Sequence, residues 1–231
     1  VGEAELRAIE GILAVHPAGE AVAGEGGVDG GVKTLVGLDV LRDQAGGEAG
    51  AVAVEEGDGL GGWAVIGFDS ELFESGLPEE QEQWAWLEDL PQRLLGRPAI
   101  VFTHKPIHAR TPQSQDPRLS VGPEALPRLT AVLDRLDVRA LGSGHLHHFQ
   151  LEERDGTPVV SAPSTAFIHR GPQIAQIAGP GLNQLGVVQY AIEEGVVRPR
   201  FRAPADLVEP EFLEVEDARR ALDAMGVVLP A

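Results

Sequence analysis

The hydrophobic and polar positions between residues 63 and 141 follow two alternating patterns, and each pattern predicts a different element. Apolar runs at 63–68 and 99–103 are typical of strands that are buried on both faces, and residues 138–141 form a further strand candidate. Between these runs, leucine and tryptophan recur at helical spacing in residues 79–90 and 123–136, which predicts two amphipathic helices. This order of strand, helix and strand predicts a sheet that is covered by helices.

The second half of the chain has a different pattern. Strand-like segments follow one another there, at residues 147–152, 157–161, 185–192 and 196–201. Short glycine turns such as Asp155-Gly156 and Glu194-Gly195 separate neighbouring segments. Tight turns join antiparallel strands, so we expect antiparallel hairpins in this half.

These patterns divide the chain into three parts. Residues 1–62 are so rich in glycine and acidic residues that packing signals are weak, and we expect this region to be irregular. Residues 63–205 are expected to form an α/β domain with a central mixed sheet flanked by helices. Residues 206–231 are expected to contain a terminal helix, at 214–225, and an apolar tail.

Composition and charge exclude several classes of function. A formal net charge of -18 argues against general binding to nucleic acid or anionic membranes, because these carry charge of the same sign. No window approaches the roughly 18 apolar residues that span a bilayer, and the N-terminus lacks the pattern of a signal peptide. We therefore expect a cytoplasmic protein without membrane association. The absence of cysteine leaves metal chemistry to His, Asp, Glu, Asn and water.

Three of the seven histidines stand at predicted strand ends, where a metal ion could collect them. His104 follows the run at 99–103, and His145 and His147 follow the run at 138–141. Residues two apart in extended backbone face the same way, so His145 and His147 can converge on one site. We therefore predict that these three are metal ligands, and that the others are surface or hydrogen-bonded residues. The others are His16, His108, His148 and His169.

A series of short motifs occurs in a fixed order along the same region. In chain order they are Ile66-Gly67-Phe68-Asp69-Ser70, Gly76, Gln83-Trp84-Ala85-Trp86-Leu87-Glu88, Phe102-Thr103-His104-Lys105-Pro106 and Gly144-His145-Leu146-His147. Together these motifs resemble the C-terminal half of calcineurin-like metallophosphoesterases, and within that family the bacterial cyclic-nucleotide-phosphodiesterase-like branch. The resemblance covers roughly residues 63–201, so residues 63–205 are expected to be the C-terminal half of such a domain.

The resemblance implies a phosphoester hydrolase of phosphodiesterase type that acts on a small-molecule phosphoester. It implies two divalent metal ions, of manganese, iron or zinc, with His104 and His145 on one ion and His147 on the other. In the family, the two cations polarise the phosphoryl oxygens and supply a bound hydroxide as the nucleophile. It implies no ligand role for Lys105, His108 or His148.

The motifs that the family carries in its first half do not occur in this chain. The family has Asp-x-His, Gly-Asp-x-x-Asp and Gly-Asn-His there, whereas Asn183 is the only asparagine of this sequence. Anionic bridging ligands hold a dinuclear site together, because two dications about 4 Å apart repel each other strongly. The sequence therefore leaves two, one or no metal ions open. Carboxylates that could replace the missing ones are Glu20, Asp29, Asp39 and Asp58.

Three functions follow from these observations. The chain is a metal-dependent phosphoester hydrolase that the missing N-terminal ligands impair, or a non-catalytic scaffold of the same fold that binds a protein partner. The third alternative is a mononuclear site in which His104, His145 and His147 hold one zinc or manganese ion. The missing motifs are expected from either a truncated or misread gene product or a degenerate homologue. The sequence leaves the substrate and the oligomeric state open.

Overall fold

A computed structural model of the chain describes residues 62–109, 115–168 and 181–203, the backbone of Lys33–Val36, and the single residues Glu216, Arg219 and Arg220. The described elements are, in chain order, β1 (Lys33–Val36), β2 (Ala64–Phe68), α1 (Pro78–Leu94), β3 (Pro98–Thr103), α2 (Leu126–Leu133), β4 (Asp137–Ser143), β5 (Gln150–Arg154), β6 (Thr157–Ser161), β7 (Val187–Glu193) and β8 (Val196–Arg202). Among these residues, no helix is both long enough and apolar enough to cross a lipid bilayer.

The described strands form two sheets. The larger sheet has the strand order β2-β3-β4-β6-β5, in which all neighbours are parallel except the hairpin of β5 and β6. The smaller sheet has the order β1-β7-β8 and is antiparallel throughout. The predicted mixed sheet and the predicted hairpins of the second half are therefore confirmed.

Side chains of the parallel strands alternate between two hydrophobic cores, as the period of two in a strand requires. Ala64, Ile66 and Phe68 of β2 pack with buried residues of α1 and α2 on one face of the larger sheet. Val65 of β2 and Ile100 of β3 point to the other face and pack against the smaller sheet. The protein is thus an α/β sandwich in which the larger sheet lies between the helices and the smaller sheet, and strands β2 and β3 are apolar on both faces.

Helix α1 begins at Pro78, where the fixed φ of proline suits the first turn. The sequence pattern ends this helix at Leu90, directly before Pro91. The helix instead continues to Leu94, whose side chain is buried in the core. Burial of Leu94 favours one more helical turn, although Pro91 cannot donate a backbone hydrogen bond there.

Helix α2 is shorter than the predicted range of 123–136 and places Pro127 in its first turn, where proline is tolerated. Before this helix, the carboxylate of Glu74 accepts hydrogen bonds from the backbone N–H groups of Glu124 (2.9 Å) and Ala125 (2.8 Å). An acceptor from a distant loop therefore takes the role of the N-terminal cap.

The region of residues 1–62 contains a strand that the sequence did not predict. Lys33–Val36 forms β1 and pairs with β7 in register Lys33 to Ile192, so the expectation of irregular structure is wrong for these four residues. Of the terminal helix expected at 214–225, the described residues Glu216, Arg219 and Arg220 are helical. The rest of both regions lies outside the described residues, and the predicted domain boundaries remain predictions.

Candidate metal centre

Three neighbouring parallel strands end at the same level of the larger sheet. The last residues of β2, β3 and β4 are register partners, Phe68 with Thr103 and Thr103 with Ser143. The loops that follow these strands therefore meet at one edge, where open α/β sheets usually form their binding crevices. These loops carry Glu71, His104 and His145.

His104 and His145 lie side by side at this edge. The distance between Nδ1 of His145 and Nε2 of His104 is 3.0 Å, and the two ring centroids are 4.9 Å apart. The backbone N–H of Gly144 donates to the carbonyl oxygen of His104 at 2.9 Å and ties the two loops together. Two nitrogen ligands of one tetrahedral zinc ion are roughly 3.3–3.4 Å apart, given metal–nitrogen distances of about 2.0–2.1 Å, so a small separation of the two rings would admit such an ion.

The backbone carbonyl of Arg118 determines which nitrogen of His145 carries the hydrogen. Nε2 of His145 lies 2.7 Å from this oxygen, and a carbonyl oxygen can only accept a hydrogen bond. Nε2 is therefore the donor in the neutral ring, and Nδ1 presents its lone pair towards His104. A hydrogen bond from the distal ring nitrogen to a carbonyl is also how proteins orient histidine ligands of metals.

Burial lowers the pKa of His145 below its ordinary value of 6.5. The hydrogen bond to the Arg118 carbonyl and the charge of Glu71 act in the opposite direction, whereas His104 and Lys105 lower the pKa further. The ring is therefore neutral at pH 7, which is the form that binds a metal ion.

Glu71 completes a group of three ligand-bearing side chains. One carboxylate oxygen of Glu71 and one nitrogen each of His104 and His145 all lie within 4.8 Å of one another. The loop that carries Glu71 is fixed from both sides. The backbone N–H of Glu71 donates to Oδ1 of Asp69 at 2.8 Å, and the buried amide of Gln83 makes two hydrogen bonds of 2.9 Å to the backbone of Asp69.

Lys105 places a buried positive charge next to this group. Its side chain is 5% exposed, and its Nζ lies 3.2 Å from Oε2 of Glu71. Nζ also donates to the carbonyl oxygen of Pro117 at 2.8 Å. The backbone N–H of Lys105 donates to Oγ of Ser70 at 2.7 Å, so both ends of this residue are held.

His147 lies in a different environment from the other two predicted ligands. Its ring is in edge contact with Phe167, with 4.8 Å between the centroids, and it is not part of the three-residue group. The sequence pattern assumed extended backbone at residues 145–147, whereas His145 (φ 65°) and His147 (φ 52°) both have left-handed backbone. The face-sharing argument therefore does not apply, and the ligand role of His147 remains a prediction.

Among the described residues, His108 and His148 are not part of the three-residue group. His108 is half-buried, and burial together with the nearby charge of Arg154 lowers its pKa, whereas Asp134 raises it. His148 is buried. The remaining candidates lie outside the described residues, namely His16, His169, Glu20, Asp29, Asp39 and Asp58.

Sequence reasoning missed Glu71. The chain has 36 acidic residues, so a single glutamate after Asp69-Ser70 carries little information. The available signal was its position, because Glu71 follows a strand end at the same sheet edge as His104.

The fold and these residues define an α/β sandwich with a two-histidine, one-carboxylate group at the carboxyl edge of its parallel strands. Neutral imidazole and carboxylate are ligands that suit manganese, iron and zinc, so the donor set fits a divalent ion of this type. The spacing of the two ring nitrogens and the orientation of His145 by the Arg118 carbonyl agree with such a use.

Solved structures that are similar to this chain include an anchor protein, a phosphatase and a protein assigned as a nucleotidase. GAP50, the anchor in the inner membrane complex of Plasmodium, is 14% identical at a TM-score of 0.48, with 73% of this chain and 56% of GAP50 covered. A dimetal phosphatase from Danio rerio is 12% identical at a TM-score of 0.42, with 62% of this chain and 55% of the phosphatase covered. A Staphylococcus aureus protein assigned as a 5′-nucleotidase, in complex with alpha-ketoglutarate, is 15% identical at a TM-score of 0.34. The match covers 71% of this chain and 31% of that protein.

The chain spans about half the length of the first two of these proteins. No protein-family model and no curated protein matches the sequence.

Proposed function

We propose that this chain is a metal-dependent phosphoester hydrolase of the calcineurin-like metallophosphoesterase family, of phosphodiesterase type. The observation that carries the proposal is the 3.0 Å approach of His104 and His145. These histidines stand in two of the motifs that carry the family resemblance, and they meet at the carboxyl edge of the parallel strands. A small-molecule phosphoester is the proposed substrate.

A divalent ion bound there would polarise the phosphoryl oxygens and make hydroxide available near neutral pH as the nucleophile. The chain itself contributes the two imidazole rings and fixes the orientation of His145. The Arg118 carbonyl keeps the hydrogen of His145 on Nε2, so Nδ1 stays available. Glu71 is 52% exposed, so the group opens to solvent and a substrate can reach it from outside.

Several finer assignments belong to the same proposal. His147 is retained as a further ligand on the family motif alone, and residues 63–205 are proposed as the C-terminal half of a metallophosphoesterase domain. The acidic composition, with a net charge of -18, supports an absence of general nucleic-acid binding. We also propose the cytoplasm as the compartment, which the lack of cysteine supports.

Hydrolysis of bis(p-nitrophenyl) phosphate by the purified chain with added Mn²⁺ tests this function. We expect the rate of nitrophenolate release to rise in proportion to the protein concentration. We expect His145→Ala to abolish this release. His108→Gln is the matched control, since His108 is also a half-buried histidine but lies outside the three-residue group. Equal activity of wild type and His145→Ala would reject the proposal.

Metal analysis of the same preparation separates the alternatives. A chain that binds no Mn²⁺ and hydrolyses nothing would favour the non-catalytic scaffold that binds a protein partner. Bound metal together with loss of hydrolysis in His145→Ala would support the enzyme.

A further inference from the structure

Lys105 is the one buried cation among the described residues, with 4% of the residue exposed. A buried ammonium group is unfavourable unless it is paired and hydrogen-bonded. Lys105 meets both conditions through Glu71 and the carbonyl of Pro117. Glu71 therefore contacts the ammonium group of Lys105 and also belongs to the group that contains the two imidazoles.

The charges of this cluster balance before any metal binds. Nζ of Lys105 lies 3.2 Å from Oε2 of Glu71, so this ion pair already offsets the charge of the one carboxylate in the group. A divalent ion at the three-residue group would share the single carboxylate with the ammonium group. The ammonium group and the metal ion are both positive, so they would repel each other. This repulsion is strong in a partly buried site, because the effective dielectric constant is far below that of water.

We propose that the site takes one divalent cation with Glu71, His104 and His145 as ligands, and that Lys105 is a positioning residue whose charge opposes the metal. Lys105 holds the carboxylate of Glu71 at the sheet edge and partly neutralises its negative charge. It therefore limits the affinity of this group for the ion. This inference depends on the metal site of the proposed function and adds a ligand and a charge control to it.

Calorimetric titration with Mn²⁺ alone tests the inference without any assay of hydrolysis. We expect about one equivalent of Mn²⁺ per chain. Lys105→Met keeps the length of the side chain and removes the charge, so affinity for Mn²⁺ should rise by about tenfold or more. Structural damage would weaken binding instead, so a rise in affinity distinguishes the charge effect from a loss of packing.

Glu71→Gln removes the proposed ligand and should lower the affinity by about tenfold or more. The side chain of Glu71 is 52% exposed, so this variant is expected to fold. Arg128→Met is the matched control for charge, because Arg128 also pairs with a glutamate, Glu88, at 2.7 Å but lies outside the group. This control should leave the affinity unchanged.

The results decide the inference in each case. A folded Lys105→Met chain with unchanged or weaker Mn²⁺ binding would overturn the role of Lys105. Unchanged binding in Glu71→Gln would overturn the ligand assignment, and this variant decides alone if Lys105→Met fails to fold. Two equivalents of Mn²⁺ would also overturn the single-ion site. Binding that depends on Glu71 without any hydrolysis would instead refute the proposed function and leave this inference standing.

Discussion

The carbonyl oxygen of Arg118 accepts a hydrogen bond from Nε2 of His145 at 2.7 Å. This contact joins a surface loop to the candidate metal centre, since the guanidinium of Arg118 points to solvent with 86% of the side chain exposed. The backbone of the loop, and not its charged side chain, therefore orients the histidine. Metal affinity should depend on how firmly this loop is held.

Gln115 holds the loop and provides the first prediction. Its side-chain oxygen accepts from the backbone N–H of Ala109 at 2.8 Å, and its amide donates to the carbonyl oxygens of Ile107 and Val121. We expect Gln115→Ala to weaken Mn²⁺ binding by up to about tenfold, because the Arg118 carbonyl loses its support. Calorimetric titration measures this change.

Gln150→Ala is the matched control for that experiment, because the amide of Gln150 is bonded to Glu152 on β5. Equal affinities of the Gln115 and Gln150 variants would show that the loop does not orient His145.

The second prediction concerns the contact between the two sheets. A Cβ atom at Gly142 would lie 2.6 Å from Oη of Tyr190 and 2.7 Å from the ring of Phe102. These two rings pack edge to face at 5.1 Å in the core, so neither can move away cheaply. We expect Gly142→Ala to lower the free energy of unfolding by about 1–3 kcal/mol, measured by urea denaturation. Wild-type stability in this variant would contradict the described packing of β4 against β7.

The third prediction concerns the cap of α2. Glu74→Ala removes the acceptor for two backbone N–H groups and should cost about 0.5–2 kcal/mol of unfolding free energy. Glu88→Ala is the control, since its ion pair with Arg128 is about half exposed on both sides and should contribute at most about 1 kcal/mol. Thermal and urea denaturation of both variants make the comparison. A larger loss in the Glu88 variant would mean that Glu74 does not cap the helix.

The fourth prediction concerns pH. Burial and Arg154 lower the pKa of His108 in the folded chain below its ordinary value of 6.5, which the unfolded chain keeps. Between these two pKa values the unfolded state binds more protons at His108 than the folded state does. The free energy of unfolding is therefore undiminished by His108 above pH 6.5 and falls as the pH decreases through this window. His108→Gln should therefore lose less stability than wild type from about pH 7.5 to about pH 5.5. Urea midpoints at both pH values measure the difference, and identical losses would contradict it.

Most elements of the described region could be predicted from local pattern. The apolar runs became β2 and β3, because strands buried on both faces need apolar side chains at nearly every position, and the strand predicted at 138–141 became part of β4. The helical stripe of α1 was recognisable for the same reason, although its end was not. Continuation past Pro91 depends on the burial of Leu94 against the sheet, which is a contact distant in sequence.

The candidate site was predictable only in part. His104 and His145 were predictable as candidate metal ligands because each follows a strand end. The register of β3 with β4 then brings the two rings together. The left-handed backbone at His147 and the strand β1 had no recognisable local signal. Strand β1 depends on β7, its pairing partner far along the chain, and the ring of His147 likewise lies against a distant residue, Phe167.

The sequence alone determined the α/β class, the hairpins of the second half and the position of two histidines at strand ends, because these depend on spacing along the chain. The tertiary structure decided which side chains meet. Glu71, Lys105 and the carbonyl of Arg118 surround the histidines only because three parallel strands end level and a later loop folds across their edge. Register and loop path depend on packing between distant segments, so no local pattern encodes them.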